Sequence, residues 1–104
     1  MTKSYLEELF AGLLKGLEIE YEREYKAIPE RRFRWDFYIP RINALVEING
    51  GIWTKGAHSS GVGLKRDYEK NNLAVAHGYP CFYYADLKGM KQFENDYKSL
   101  LGDV

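Results

Sequence analysis

Residues 33–49 read FRWDFYIPRINALVEIN, and this stretch decides the architecture. Aromatic residues crowd 33–39 and aliphatic residues crowd 44–49, compositions that suit pleated strands. Pro40, Arg41, Ile42 and Asn43 lie between them as turn residues, so the two runs predict an antiparallel hairpin. A two-residue loop at Arg41 and Ile42 makes paired residue numbers sum to 83, and Asp36 and Glu47 satisfy that sum. The two carboxylates are then expected to face each other with Cβ atoms about 5 Å apart. Like charges so placed repel, and a strand is a poor home for Asp. A divalent cation such as Mg2+, which prefers carboxylate oxygens, relieves that cost. So does a structural arrangement with a protonated or Arg-paired carboxylate, for which Arg34 is available. A bare pair predicts that Asp36→Asn melts higher than wild type in the absence of metal.

Outward from the hairpin, 4–17 reads as a helix. Ser4 and Glu7 have capping-box spacing, and Leu6, Phe10, Leu13 and Leu17 form one stripe. Glu7 projects beside that stripe, whereas Glu8 and Lys15 point to solvent. Gly16 is expected to help end the helix. Residues 18–27 alternate enough to be a strand. Five glycines in 50–63 exclude regular structure there, and so long a loop in a small domain carries function or is disordered. Residues 64–77 form a helix with Leu64, Tyr68, Asn71 and Val75 on one face, ended by Gly78. A short strand at 81–85 and a helix over 88–101 follow, the latter with Met90, Phe93, Tyr97 and Leu100 on its apolar face. The resulting order, α-β-β-β-α-β-α, predicts an α/β fold with a mixed central sheet flanked by helices.

A chain of 104 residues predicts one domain over 1–104, and 45% hydrophobic with 29% charged residues is ordinary for a globular protein. Formal net charge is zero, but its distribution is uneven. Residues 1–30 hold four basic against seven acidic side chains, 31–70 eight against four, and 71–104 three against four. The basic middle suits phosphate contact, although solvated surface charge explains it equally. No apolar run is long enough to span a bilayer, and no signal-peptide block follows Met1. The lone Cys81 excludes an internal disulfide, fits a reducing cytoplasm and, inside an apolar run, reads as a buried strand residue rather than a nucleophile.

Further residues carry candidate chemistry. Asn49 follows Glu47 by two and shares its strand face. Lys70 lies one turn from Asp67 on the next helix, either as a surface ion pair or as an ammonium available to the carboxylates. His58 in the glycine loop is either solvated or a base or phosphate donor. Trp53 is a packing residue or a base-stacking surface.

The run Arg32-Phe33-Arg34-Trp35-Asp36-Phe37, then Val46-Glu47-Ile48-Asn49-Gly50-Gly51-Ile52-Trp53, Gly56-x-His58, Gly61-x-Gly63 and Asp67-x-Glu69-Lys70-Asn71-x-x-Ala74, resembles the PD-(D/E)xK nuclease superfamily. More narrowly it is similar to small phage and prophage nucleases related to archaeal-type Holliday junction resolvases and, more distantly, to very-short-patch repair endonucleases. The resemblance covers about residues 4–85. It implies a restriction-endonuclease-like α-β-β-β-α-β core, DNA as partner, and a Mg2+ site (with Mn2+ as substitute) from Asp36, Glu47 and the carbonyl of Ile48, reached by Glu7. It implies no small-molecule cofactor and no membrane, and a bacterial or phage-infected cytoplasm.

Asn49 stands where such nucleases carry a lysine, which leaves the water-orienting role to Lys70 or His58. Arg32, Arg34, Lys55, His58, Lys65 and Arg66 are the candidate DNA contacts. Resolvases of this kind act as homodimers, with Tyr83 and Tyr84 here as interface candidates. The resemblance therefore predicts a structure-selective endonuclease, foremost a junction resolvase. The alternatives are a monomeric nicking repair or homing-type enzyme and an inactive DNA-binding domain of the same fold.

Overall fold

The computed structural model describes residues 2–49 and 61–102. Helix α1 spans Lys3–Gly16, with Thr2 as its cap: the Thr2 hydroxyl accepts from the Tyr5 amide at 3.1 Å. The expected capping box at Ser4 is not used, because the helix starts earlier, and Glu7 is free to reach the sheet. Leu6, Phe10, Ala11 and Leu14 are buried. The chain reverses at Glu18, whose φ of 58° is left-handed, rather than at Gly16.

Four strands follow the helix: β1 (Glu22–Tyr25), β2 (Trp35–Ile39), β3 (Ala44–Ile48) and β4 (Cys81–Tyr84), in the spatial order β1-β2-β3-β4. The first two neighbour pairs are antiparallel and the third is parallel, so the sheet is mixed. Of the expected strand over 18–27 only the four residues of β1 are regular. The β2–β3 pairs are Phe37↔Val46, Tyr38↔Leu45 and Ile39↔Ala44, which is the expected register. The turn is a short 3-10 helix at Pro40–Ile42, closed by Asn43 in the left-handed region at φ 51°. Asn tolerates that conformation better than most residues.

Helices cover both faces. On one, α1 packs with α3 (Leu87–Met90) and α4 (Phe93–Leu101) over Phe37, Ile39, Val46, Ile48 and Tyr84. Phe10 is the hub, its ring 4.9 Å from Phe37 and 5.2 Å from Phe93, both edge-on. On the other face α2 (Gly61–Ala76) packs through Ala74 and Leu73 over Leu45 and Trp35, with Ala27 and Ile28 from the segment before β2.

Alternation in β1 and β2 inverts at one level of the sheet. Tyr21 and Phe37 belong to the α1 face, yet Tyr25 and Trp35, paired with each other, belong to the α2 face. Even spacings along a strand should share a face. Between the two levels lie Glu24, at a left-handed φ of 51°, and Asp36. The fold thus turns both strands over where it keeps two of its carboxylates, a local irregularity of the kind β-bulges produce.

Three expectations need correction. Helix α2 begins at Gly61 rather than 64, and its inner stripe is Lys70 and Ala74; Tyr68 and Val75 are exposed. The side chain of Leu64 lies outside the described residues. The expected last helix is two helices with a turn at 91–92, which seats Met90 and Phe93 in the core while leaving Leu100 exposed. Asp86 caps the first of them by accepting from the Gly89 amide at 2.7 Å. Among the described residues no helix is long and apolar enough to cross a membrane.

Candidate functional site

Two crossed hydrogen bonds join β2 to β3 just beyond their three main-chain pairs. The Ile48 amide donates to Asp36 Oδ2 at 2.8 Å, and the Asp36 amide donates to Glu47 Oε1 at 3.1 Å. Each carboxylate thereby takes up a backbone donor at the end of the ladder, where burial would otherwise make it costly. The register sets Asp36 against Glu47 as expected, but the pair is not bare. Lys3 Nζ lies 3.0 Å from Asp36 Oδ2, and Lys70 Nζ lies 3.0 Å from Glu47 Oε1. The carboxylates diverge, Asp36 toward α1 and Glu47 toward α2. This removes the ground for expecting Asp36→Asn to melt higher.

Lys70 is held from three sides. Its ammonium also donates to the Arg34 carbonyl at 2.6 Å and sits 4.9 Å from the centre of the Trp35 ring. A lysine stem of this kind packs on apolar surface while its head finds anions, which explains why α2 turns Lys70 and Ala74 inward instead of the more apolar Tyr68 and Val75. Asn49, two residues after Glu47, lines the same cavity as Lys70. The ammonium therefore reaches Glu47 from a helix and not from the strand.

A second group of carboxylates surrounds Asp36. One oxygen each from Glu7, Glu24 and Asp36 lies within 4.8 Å of the others. Burial, then the charge of Asp36, pushes the Glu7 carboxyl above its ordinary value. Burial, followed by Asp36, does the same to Glu47 in spite of Lys70. The Lys3 ammonium is held above its usual value, since its bond to Asp36 and the nearby Glu47 and Glu7 outweigh its partial burial. Arg23 adds positive charge at the rim, 2.8 Å from Glu8 and 3.7 Å from Glu7.

Such a donor set fits Mg2+: all-oxygen, carboxylate-rich, and open enough to leave places for water. Glu7, Glu24 and Asp36 are close enough to share one ion, and Glu47 adjoins them through Asp36. Lys3 now supplies the positive charge at Asp36, so a cation binding there has to displace it.

The remaining candidates fall into three groups. Ile48 is buried, with its amide committed to Asp36. His58, Lys55 and Trp53 lie outside the described residues. Arg32, Arg34, Lys65 and Arg66 are all exposed. The first two lie in the segment before β2, and that segment touches α2 through the Arg31–Glu69 ion pair and the Lys70–Arg34 bond. Arg66 precedes Lys70 by one helical turn, which continues the positive stripe away from the carboxylates.

Of the interface candidates, Tyr83 is exposed, but Tyr84 is buried and donates to Asp96 Oδ2 at 2.7 Å, so it offers nothing to a partner. Burial pushes the Cys81 thiol up to about 11, which keeps it protonated and a poor nucleophile at neutral pH.

Lys3 and Glu24 escaped the sequence reading. Lys3 stands four residues before Glu7 and so on its helix face, a spacing that was legible. Glu24 depends on its left-handed backbone, which a glutamate does not advertise. A cavity of about 410 Å3 opens beside Glu47 and Lys70, lined also by Lys3 and Asn49.

Two stability outcomes follow. Asp36→Ala leaves the buried Ile48 amide without an acceptor, so urea unfolding in metal-free buffer is expected to show a loss of about 1–3 kcal/mol. Asp36→Asn retains an acceptor oxygen and should lose less; an Asp36→Ala protein as stable as wild type would mean that the crossed bond contributes nothing. The second outcome concerns pH. Because the folded state raises the Glu47 pKa, its contribution is fully present below the unfolded value of about 4.3 and is lost as pH rises through the raised folded value. Glu47→Gln should flatten that part of the stability profile; an unchanged slope would contradict it.

The chain matches no family model, no curated protein and no solved structure.

Proposed function

We propose that this chain is a divalent-metal-dependent DNA endonuclease that hydrolyses phosphodiesters in branched DNA, foremost as a junction resolvase. One observation carries the reading: Lys70 Nζ stands 3.0 Å from Glu47 Oε1, beside Asp36, at the open end of the hairpin. An aspartate, a glutamate and a lysine thus meet in space although residue 49 is Asn. This supports the nuclease resemblance by chemistry rather than by motif.

In this reading Glu7, Glu24 and Asp36, with Glu47 adjoining through Asp36, would hold Mg2+ or Mn2+. Such an ion lowers the pKa of bound water and offsets charge on an attacked phosphate. The chain's own groups do the rest. Trp35 and the Arg34 carbonyl fix Lys70, so its head stays at Glu47 without an entropic cost at the moment of reaction. Among the described residues two of its three N–H donors are engaged, by Glu47 and Arg34, which leaves one to orient a water or a phosphate oxygen. Glu47, mostly buried, is the anionic partner of that ammonium at 3.0 Å. Arg32, Arg34, Lys65 and Arg66 supply the sequence-independent attraction to phosphates. Cutting two opposed strands requires two such sites, so the resolvase reading includes a homodimer. A monomer would nick.

Asn49 favours a second reading, a DNA-binding domain of the same fold without activity. Incubation with a synthetic four-way junction separates the two. The nuclease reading expects Mg2+-dependent cleavage by wild type and a fall of at least ~100-fold in Asp36→Ala and Glu47→Ala, the scale on which a preorganised electrostatic group acts. Tight junction binding with no cleavage in Mg2+ or Mn2+ would select the inactive domain. Undiminished cleavage by Asp36→Ala would remove the assignment of the site.

A further inference from the structure

The cavity beside Glu47 and Lys70 has walls unsuited to phosphate alone. Tyr68 of α2 and Tyr83 of β4 both line it, together with Asn49 and Asn71. Tyr68 is 59% exposed and Tyr83 46%. Leaving two aromatic rings this far in water forgoes the burial that usually stabilises them. Tyr83 is fixed in place, its hydroxyl donating to Asn71 Oδ1 at 2.9 Å. Tyr68 makes neither a ring contact nor a hydrogen bond among the described residues. It shares a helix side with Asn71, one turn on. The cavity therefore offers one anchored ring, one ring without a partner among the described residues, and amides that can both donate and accept.

Flat aromatic faces next to amide groups suit a nucleobase. The faces stack on its π surface, and the amides meet the polar edge that pairing normally occupies. About 410 Å3 is room for a small organic group and far too little for a duplex. A base reaches such a pocket only when it has left the stack. We propose that this cavity takes one unpaired base of the strand whose phosphate lies at Glu47 and Lys70. The substrate class is then DNA with an unpaired nucleotide at the cleavage site, at a branch point, bulge or flap, in preference to continuous duplex. The proposal rests on the nuclease reading of the site and narrows it.

The test uses the full chain in EDTA, so that binding is read without cleavage. The probes are two otherwise identical duplexes, one with a single bulged 2-aminopurine and one with that base paired. Wild type is expected to quench the bulged fluorophore and to bind that duplex at least about five-fold tighter than the paired one. Tyr68→Ala should abolish both the quench and the preference, while Tyr83→Phe, which keeps its ring, should retain the quench. Equal affinity of wild type for the two duplexes, or an unchanged quench in Tyr68→Ala, would overturn the proposal. So would displacement of the bulged DNA by free 2-aminopurine deoxynucleotide at comparable concentration, which would mark a site for a free nucleotide.

A parallel cleavage assay in Mg2+ keeps the two readings apart. Quench and preference without cleavage on any DNA would sustain the base pocket and sink the nuclease. Equal cleavage of both duplexes, unaffected by Tyr68→Ala, would sink the pocket and sustain the nuclease.

Discussion

The crossed pair of hydrogen bonds between β2 and β3 is the constraint on which the rest of the site depends. Asp36 and Glu47 sit where the strand ladder ends, and each accepts a main-chain amide of the Asp36–Ile48 crossing. A buried carboxylate without partners would neutralise or destabilise the fold. Here the amides keep two acidic groups at one sheet end and aim them apart. Each then recruits its own lysine, Lys3 from α1 and Lys70 from α2. The two helices on opposite faces are thus tied to the same pair of strands by charge as well as by apolar packing.

That arrangement has consequences for chemistry. Breaking a buried ion pair by removing one partner is costly, because the other charge stays buried. A site with its own lysines therefore holds together without metal, and any divalent ion would have to compete with Lys3 at Asp36. Lys70 differs from Lys3. It is braced by the Arg34 carbonyl and the Trp35 ring as well as by Glu47, contacts that have no equivalent at Lys3 among the described residues. The carboxylates that gather around Asp36 are Glu7, from a helix, and Glu24, from the edge strand at the inverted level of the sheet.

Much of this was legible from residue types and spacing. Turn chemistry at Pro40 to Asn43 set the register, and the register set Asp36 against Glu47. The stripe of α1 placed Glu7 beside the core. What stayed hidden has physical causes. A left-handed glutamate at 24 has no compositional marker, so the inversion that carries Tyr25 and Trp35 to the other face was invisible. Periodicity in α2 pointed to Tyr68 and Val75 because it scores apolarity; the helix is seated instead by a lysine whose stem packs and whose head pairs. Local signals also competed at the first cap, where Thr2 displaced Ser4 and freed Glu7 from a capping role. The carboxylates were thus readable as a pair with Lys70 as one candidate partner, but not Lys3 as the other.

The central claim is that Lys70, coming from a helix, fills the role left open by Asn49. The most direct measurement is Mg2+-dependent cleavage of a four-way junction by wild type, Lys70→Met and the double variant Lys70→Met/Asn49→Lys, with folding checked by circular dichroism. The account predicts a large loss in Lys70→Met and substantial recovery when the lysine is returned on the strand. Wild-type cleavage by Lys70→Met would contradict it.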